Sequence, residues 1–370
     1  MSGTSIFTPL MNGTTGKTGT SGTSDNSKWV MPKALDLYKL NFYGNKRALL
    51  TEIADLIPAG TKTIADIFGG TGIVSWFLKH QGYRVIVNDV MAYPYFRHRA
   101  LIGNNAVSLD ESDMDILLEP NRNKKKYFSQ FYVRTLGEIN CEFLDTWAAN
   151  VENLDDSIKK SIAVYIPIVC ISKYIKHAAI HFTPYGTISG NQKNYFDVDL
   201  KEDVISYALD TFRKFIFNNG KQNECHQRDA IELVKEIEAE VIYCDSPYAG
   251  GTGDYEDKYA FFDALAAILS GHAEKIDDAY DSKADLAPYT NFGTKRSAVS
   301  GFFKFFENSR NTPTIILSYN TTSDLAPEEI ALIAKVYGRR LSFRKDIDRP
   351  RPTTKKNQNI HTKEVLMVFK

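Results

Sequence analysis

Residues 62–89, "KTIADIFGGTGIVSWFLKHQGYRVIVND", decide the fold. "KTIADIF" is an apolar run of strand length, and "GGTG" is too glycine-rich to continue it. "IVSWFLKHQG" has helical spacing and is closed by Gly82, and "RVIVND" is a second strand. Strand, glycine turn, helix and strand make a βαβ unit, which predicts a parallel sheet. Gly70 and Gly72 match the first two glycines of G-x-G-x-x-G, and Ser75 stands in place of the third. Such glycines let a ligand approach the backbone at a helix start, and Asp89 ends the second strand where an acid meets ribose hydroxyls. Both features suit an adenosine-containing cofactor. A Rossmann dinucleotide site and a tight turn with no ligand remain open.

The same rhythm returns later. "CHQRDAIELVKEIE" leads into the strand "EVIYCD", and "YAFFDALAAILSG" has helical spacing. "TPTIILSYN" is another buried strand, and "PEEIALIAKVYG" is a helix with Pro at its start and Gly at its end. "RLSFRKDI" and "KEVLMVFK" alternate like the strands of a terminal hairpin. From about residue 101 to 222 there is no α/β alternation, only helices and loops. Residues 1–30 are rich in Gly, Thr and Ser and cannot bury enough surface to fold alone.

Composition narrows the classes. Among 370 residues, Lys plus Arg equals Asp plus Glu at 45 each, so any nucleic-acid surface must come from local segregation of charge. Four cysteines without a paired-ligand spacing argue against a disulfide scaffold or a zinc site. No apolar run has membrane-spanning length and there is no signal peptide, which points to a cytoplasmic protein without a membrane partner. His177 and His181 share a helix face, but Ala178 stands where a zinc protease needs Glu, so no metal is expected.

The second informative stretch is "VIYCDSPYAGG", residues 241–251. In an open α/β sheet ligands sit beyond the carboxyl ends of the strands. Asp245, Ser246, Pro247 and Tyr248 would therefore open onto the same crevice as the glycine turn. A carboxylate, a loop carbonyl fixed by proline and an aromatic face suit a planar amine.

With these motifs the chain resembles the N6-adenine DNA methyltransferases that use S-adenosylmethionine, specifically the Dam-like, D12-class group. Their signature Asp-Pro-Pro-Tyr is here Asp245-Ser246-Pro247-Tyr248, and "DIFGGTG" is similar to their cofactor motif. "FYGNKRALL" (42–50) looks like their N-terminal motif, "VND" like the acidic end of their second strand, and "HQRDAIELV" like their third cofactor strand. The order of motifs, with a long insertion before the catalytic one, is that of the group. The resemblance spans about 33–369 and is thin inside the insertion.

It implies a Rossmann-like α/β domain (31–100 and 223–370) with a mostly parallel seven-stranded sheet, and a largely helical inserted target-recognition domain (101–222). Asp245 and the Ser246 carbonyl would accept the two N6 hydrogens of a flipped-out adenine, and Tyr248 would stack on it. Ser246 keeps the carbonyl that the missing proline would supply. Phe68, Gly70 and Gly72 would surround the methionine part of the cofactor, Asp89 would meet the ribose and Asp229 the adenine amine. Tyr43 and Lys46 would close the methionine end, and Asp66 would meet the ammonium. The partner would be double-stranded DNA, met by Lys124, Lys125 and Lys126 in "NRNKKKYF" and by Arg349, Arg351, Lys355 and Lys356 near the end. The setting would be a restriction–modification system, with a separate endonuclease reading the same site, and the enzyme a monomer. Methylation of RNA adenine or of cytosine N4 in DNA, nicotinamide-dependent oxidoreduction, and a non-catalytic DNA-binding relative that retains the fold are the alternatives.

Overall fold

The computed structural model describes residues 29–37, 46–174, 198–248, 255–273, 292–350 and 361–370. Seven strands form one sheet in the order β3-β2-β1-β4-β5-β7-β6. They are β1 (Thr63–Asp66), β2 (Arg84–Asn88), β3 (Glu224–His226), β4 (Val241–Cys244), β5 (Thr314–Asn320), β6 (Leu341–Pro350) and β7 (His361–Phe369). The first five run parallel, and β7 slides antiparallel between β5 and β6. The mostly parallel seven-stranded sheet read from the sequence is present, and so is its terminal hairpin.

The central strands are covered on both sides, so their buried residues run without a break: β4 and β5 are buried at every position. Period-two alternation sorts them between two cores. Ile64, Val85, Val87, Val241, Tyr243, Ile316, Leu366 and Val368 belong to one apolar cluster. Ala65, Ile86, Ile242, Cys244, Ile315, Leu317, Val365 and Met367 belong to the other. The second is roofed by the helices Lys295–Asn308 and Pro327–Val336. The first is roofed by Leu50–Asp55, Ile73–His80, Ala92–Leu101 and Tyr255–Leu269.

The helices between β2 and β3 join the first cluster directly. Trp147 and Leu144 of Glu138–Val151 and the buried face of Ser157–Tyr174 are continuous with Trp76 and Phe77. The Trp76 indole N–H donates to the carbonyl of Phe215, 2.9 Å away, which fastens the end of this helical segment to the helix Ile73–His80. The buried Lys79 ammonium donates to the carbonyls of Leu101 and Asn104, satisfying the end of Ala92–Leu101.

This topology gathers the carboxyl ends of β1, β2, β4 and β5 along one edge. Because β7 is antiparallel, its amino-terminal end lies at that same edge, with Glu364 opposite Asn320.

Candidate active site

The turn after β1 is shaped by glycine. Gly70 and Gly72 have φ of 50° and 69°, in the left-handed region that disfavours a side chain. The Gly69 N–H donates to the Asn88 carbonyl, extending the pairing of β1 with β2 past the end of the strand. His98 buttresses the turn from below: its Nε2 lies 3.0 Å from the Gly70 carbonyl, and a Cβ at Gly72 would come within 2.9 Å of its ring. Burial drives the His98 pKa down to about 3, so the neutral ring donates from Nε2. A Cβ at Gly70 would meet nothing within 4 Å, so the upper side of the turn has room for a ligand.

Two carboxylates flank the turn, Asp66 fully buried and Asp89 partly so. Asp89 accepts the Gly70 N–H at 2.9 Å and the Met91 N–H at 3.0 Å, and burial raises it to about 6. Asp66 ends β1 at 1% exposure. Its Oδ2 accepts the Ser75 hydroxyl at 2.7 Å, while Oδ1 is buried without a hydrogen-bond partner. Desolvation raises Asp66 to about 7. Ser75, the departure from the third glycine, is thus explained: its hydroxyl, inside the first turn of Ile73–His80, orients this acid.

Beyond β4 stands the second half of the site. Lys46 is fixed at the start of the short helix Arg47–Leu49 and is 3% exposed. Its Nζ lies 2.7 Å from Asp245 Oδ2, 2.9 Å from the Tyr248 hydroxyl and 3.3 Å from Glu364 Oε1. The Tyr248 hydroxyl is 2.9 Å from Asp245 Oδ1 and equally 2.9 Å from Glu364 Oε1. The Ser318 hydroxyl donates to Glu364 Oε1 at 2.7 Å. Behind Tyr248 stands Tyr319, edge to face at 5.2 Å.

Burial alone would favour the neutral amine of Lys46, but Asp245 and Glu364 outweigh it and hold its pKa above the ordinary value. Burial raises Asp245, opposed by Lys46 and reinforced by Glu364. Burial, then Asp245, push the Tyr248 phenol far up, so it stays protonated.

The structure therefore brings Lys46, Asp66, Gly70, Gly72, Asp89 and the Asp245–Tyr248 turn to one crevice. Phe68 stands half-buried beside it, edge to face with Phe292 at 5.4 Å. Asp229 follows β3 at the next strand end, where its carboxylate caps the helix Ala230–Leu233 by accepting from Ile231 and Glu232 N–H. Tyr43, Arg351, Lys355 and Lys356 lie outside the described residues, as do His177 and His181. Arg349 is on β6, opposite Thr362 of β7. In the basic run, Lys124 is turned inward to Glu142 and Thr146, whereas Lys125 and Lys126 are exposed. Sequence reasoning missed Glu364, Ser318 and His98. A glutamate at the inward-facing parity of an otherwise apolar strand was the available signal for Glu364.

A parallel sheet with one reversed strand, a glycine turn after β1 and an acid-bearing turn after β4 make an α/β methyltransferase fold. Residues 42–277 match the family model of the D12 class N6 adenine-specific DNA methyltransferases, and the chain belongs to that family. The type II methyltransferase M2.HphI of Haemophilus parahaemolyticus is 27% identical over 350 residues, covering 89% of this chain and 97% of that protein. The type II methyltransferase M.NlaIII of Neisseria lactamica is 24% identical, covering 81% of this chain and 89% of its own length. The modification methylase StsI of Streptococcus sanguinis is 27% identical over 317 residues, and there the chain spans 46% of the relative.

Proposed function

We propose that this protein methylates adenine N6 at specific sites in double-stranded DNA, with S-adenosylmethionine as donor, as the modification enzyme of a restriction–modification pair. The observation that carries the reading is Asp245, held at the carboxyl end of β4 in the same crevice as the glycine turn. The donor supplies a methyl group on a positively charged sulfur, open to direct attack by an amine.

The crevice suits such a cation. Asp66, Asp89, Asp245 and Glu364 converge on it with one lysine, and the unpartnered Asp66 Oδ1 calls for a donor such as the ammonium of the methionine part. Phe68, Gly70 and Gly72 would line that part, Tyr43 and Lys46 would close it, and Asp89 would take the ribose hydroxyls. Asp229 would meet the adenine amine, its helix cap shared with the ligand.

The adenine amino group is a weak nucleophile because its lone pair is spread into the ring, and in a duplex it points inward. The base is therefore flipped out, at a cost of roughly a few kcal/mol. Asp245 and the Ser246 carbonyl accept the two N6 hydrogens, leaving the lone pair directed at the methyl. Tyr248 lies against the base. Rate comes from position and fixed acceptors, without a covalent enzyme intermediate. The departing N6 proton is acidic once the nitrogen carries the methyl, and Asp245 is its nearest acceptor. The helical segment 101–222 reads the site, with Lys125 and Lys126 toward phosphates. The relatives named as type II and modification methylases support the restriction–modification setting.

The test is methyl transfer from labelled S-adenosylmethionine to unmethylated DNA or total RNA, by the wild type and by Asp245→Ala, followed by digestion to nucleosides. N6-methyladenine in DNA, absent with the variant, is the expected product. Label in RNA alone or in cytosine would overturn the substrate, and no label in any nucleic acid would overturn the activity.

A further inference from the structure

The proposed chemistry needs one carboxylate oxygen of Asp245 to turn toward the target amine, yet both oxygens are already engaged. Oδ2 faces the Lys46 ammonium and Oδ1 faces the Tyr248 hydroxyl. Gripping the base competes with these contacts, and breaking them outright would strand a buried ammonium and a half-buried phenol.

Glu364 offers the exchange. A phenol has one proton, and the Tyr248 hydroxyl has two carboxylate acceptors at the same 2.9 Å, Asp245 Oδ1 and Glu364 Oε1. Lys46 is likewise within ion-pair distance of both acids, at 2.7 and 3.3 Å. Glu364 is held in place by Ser318 from the neighbouring strand and has a side chain only 8% exposed. Its backbone is locked in the sheet opposite Asn320, whereas Asp245 lies one residue past the last pair of β4. One acceptor is fixed, and the other stands on a turn.

We infer that Glu364 is a positioning residue that accepts the Tyr248 hydroxyl's hydrogen bond and pairs with the Lys46 ammonium when Asp245 turns to the target amine. Resting on the proposed adenine chemistry, this assigns a role in the reaction to the amino-terminal end of β7, beyond the 42–277 match to the family. Among the described residues, the charged and titratable groups facing the pair are Lys46, Asp66 of β1, Tyr243 and Cys244 of β4, and Tyr248. Lys46 is the cation among them, so removing the Glu364 charge changes the balance felt by Asp245.

The experiment measures single-turnover methyl transfer to duplex DNA across pH for wild type, Asp245→Ala, Glu364→Gln and Glu364→Asp, with S-adenosylhomocysteine affinity alongside. Glu364→Gln is expected to bind the cofactor product normally and to transfer about 10- to 100-fold more slowly. The acid limb of its rate profile moves to lower pH, because a like charge beside Asp245 is gone. Glu364→Asp keeps the charge, so its limb stays and part of the rate returns. Wild-type transfer rates in Glu364→Gln, or a slower rate with an unmoved limb, would overturn the inference while leaving the Asp245 reading intact. If the glutamine variant does not fold, Ser318→Ala, which frees Glu364 without removing it, decides: about tenfold slower transfer at unchanged affinity supports the role, and an unchanged rate refutes it. A wild type inactive on DNA would instead refute the proposed function itself.

Discussion

Lys46 and Asp245, far apart in the sequence, form an ion pair of 2.7 Å whose side chains are 4% and 17% exposed. Losing one partner of such a pair costs about 3–5 kcal/mol, because the other is left charged and desolvated. Lys46→Met keeps the length of the side chain and removes the charge. Urea unfolding at pH 7.5 is expected to show a loss of that size. Without the cation Asp245 binds its proton more tightly, so the acid limb of methyl transfer moves to higher pH, opposite to the shift expected for Glu364→Gln. A variant with an unmoved limb would mean that the pair is only structural.

Asp66 makes the converse prediction. Its pKa is about 7 in the folded chain, raised by burial from 3.8. The folded state therefore prefers the protonated acid, and its contribution to stability is lost as pH rises from about 4 to 7. At roughly 1.4 kcal/mol per tenfold in proton affinity, the loss by pH 8 is on the order of 4 kcal/mol. Asp66→Asn imitates the neutral form and can still accept the Ser75 hydroxyl. It should stabilise the ligand-free protein at pH 8, with the gain fading as pH falls from about 7 to 4, and should abolish binding of S-adenosylhomocysteine. Calorimetry adds a second check: if the ligand ammonium meets ionised Asp66, wild-type binding releases protons near pH 7. Binding with no buffer dependence would remove Asp66 from the cofactor site.

Much of the frame was legible because it rests on local rules. Gly70 and Gly72 were visible as a turn because few other residues take a positive φ, and β4 announced its end by placing Asp245 before Pro247. Glu364 was hidden because its meaning depends on β7 running antiparallel beside β5, a non-local pairing. In the sequence "KEVLMVFK" is an alternating strand with a charged start, which reads as a solvent-facing end. Lys124 was misleading for a related reason. A run of three lysines looks uniform, but the helix Glu138–Val151 supplies Glu142 and Thr146 to the first of them. Asp229 carried two readings that sequence cannot separate, since an acid before a helix is both a cap and an acceptor for a ligand.

The two left-handed glycines should part company on mutation. Gly72→Ala places a Cβ 2.9 Å from the His98 ring and 3.0 Å from Ile102, in a backbone conformation that already disfavours a side chain. It is expected to cost about 2–4 kcal/mol in denaturant unfolding. Gly70→Ala meets no atom within 4 Å, so its cost is the conformational part alone, about 1–2 kcal/mol. Its methyl group points into the space left for the ligand, so it should weaken S-adenosylhomocysteine binding by more than it weakens the fold. Equal losses of stability in both variants would mean that His98 yields to the intruding methyl.

The exposed and tied lysines of the helical segment give a prediction that separates DNA contact from folding. Each phosphate neutralised by a bound lysine contributes about 0.9 to the slope of log affinity against log salt concentration. Lys125 and Lys126 are exposed, so the double change Lys125→Ala, Lys126→Ala should reduce that slope by roughly 2 and weaken cognate and non-cognate duplexes alike. Lys124 is paired with Glu142 and bonded to Thr146 at 2.9 Å, so its charge is already balanced within the protein. Lys124→Ala should leave the slope unchanged, and, with one partly exposed pair lost, should lower stability by about 1 kcal/mol or less. Fluorescence anisotropy between low and moderate salt reads both slopes. A slope that falls for Lys124→Ala and stays for the double variant would reverse the assignment and turn this face of the segment away from DNA.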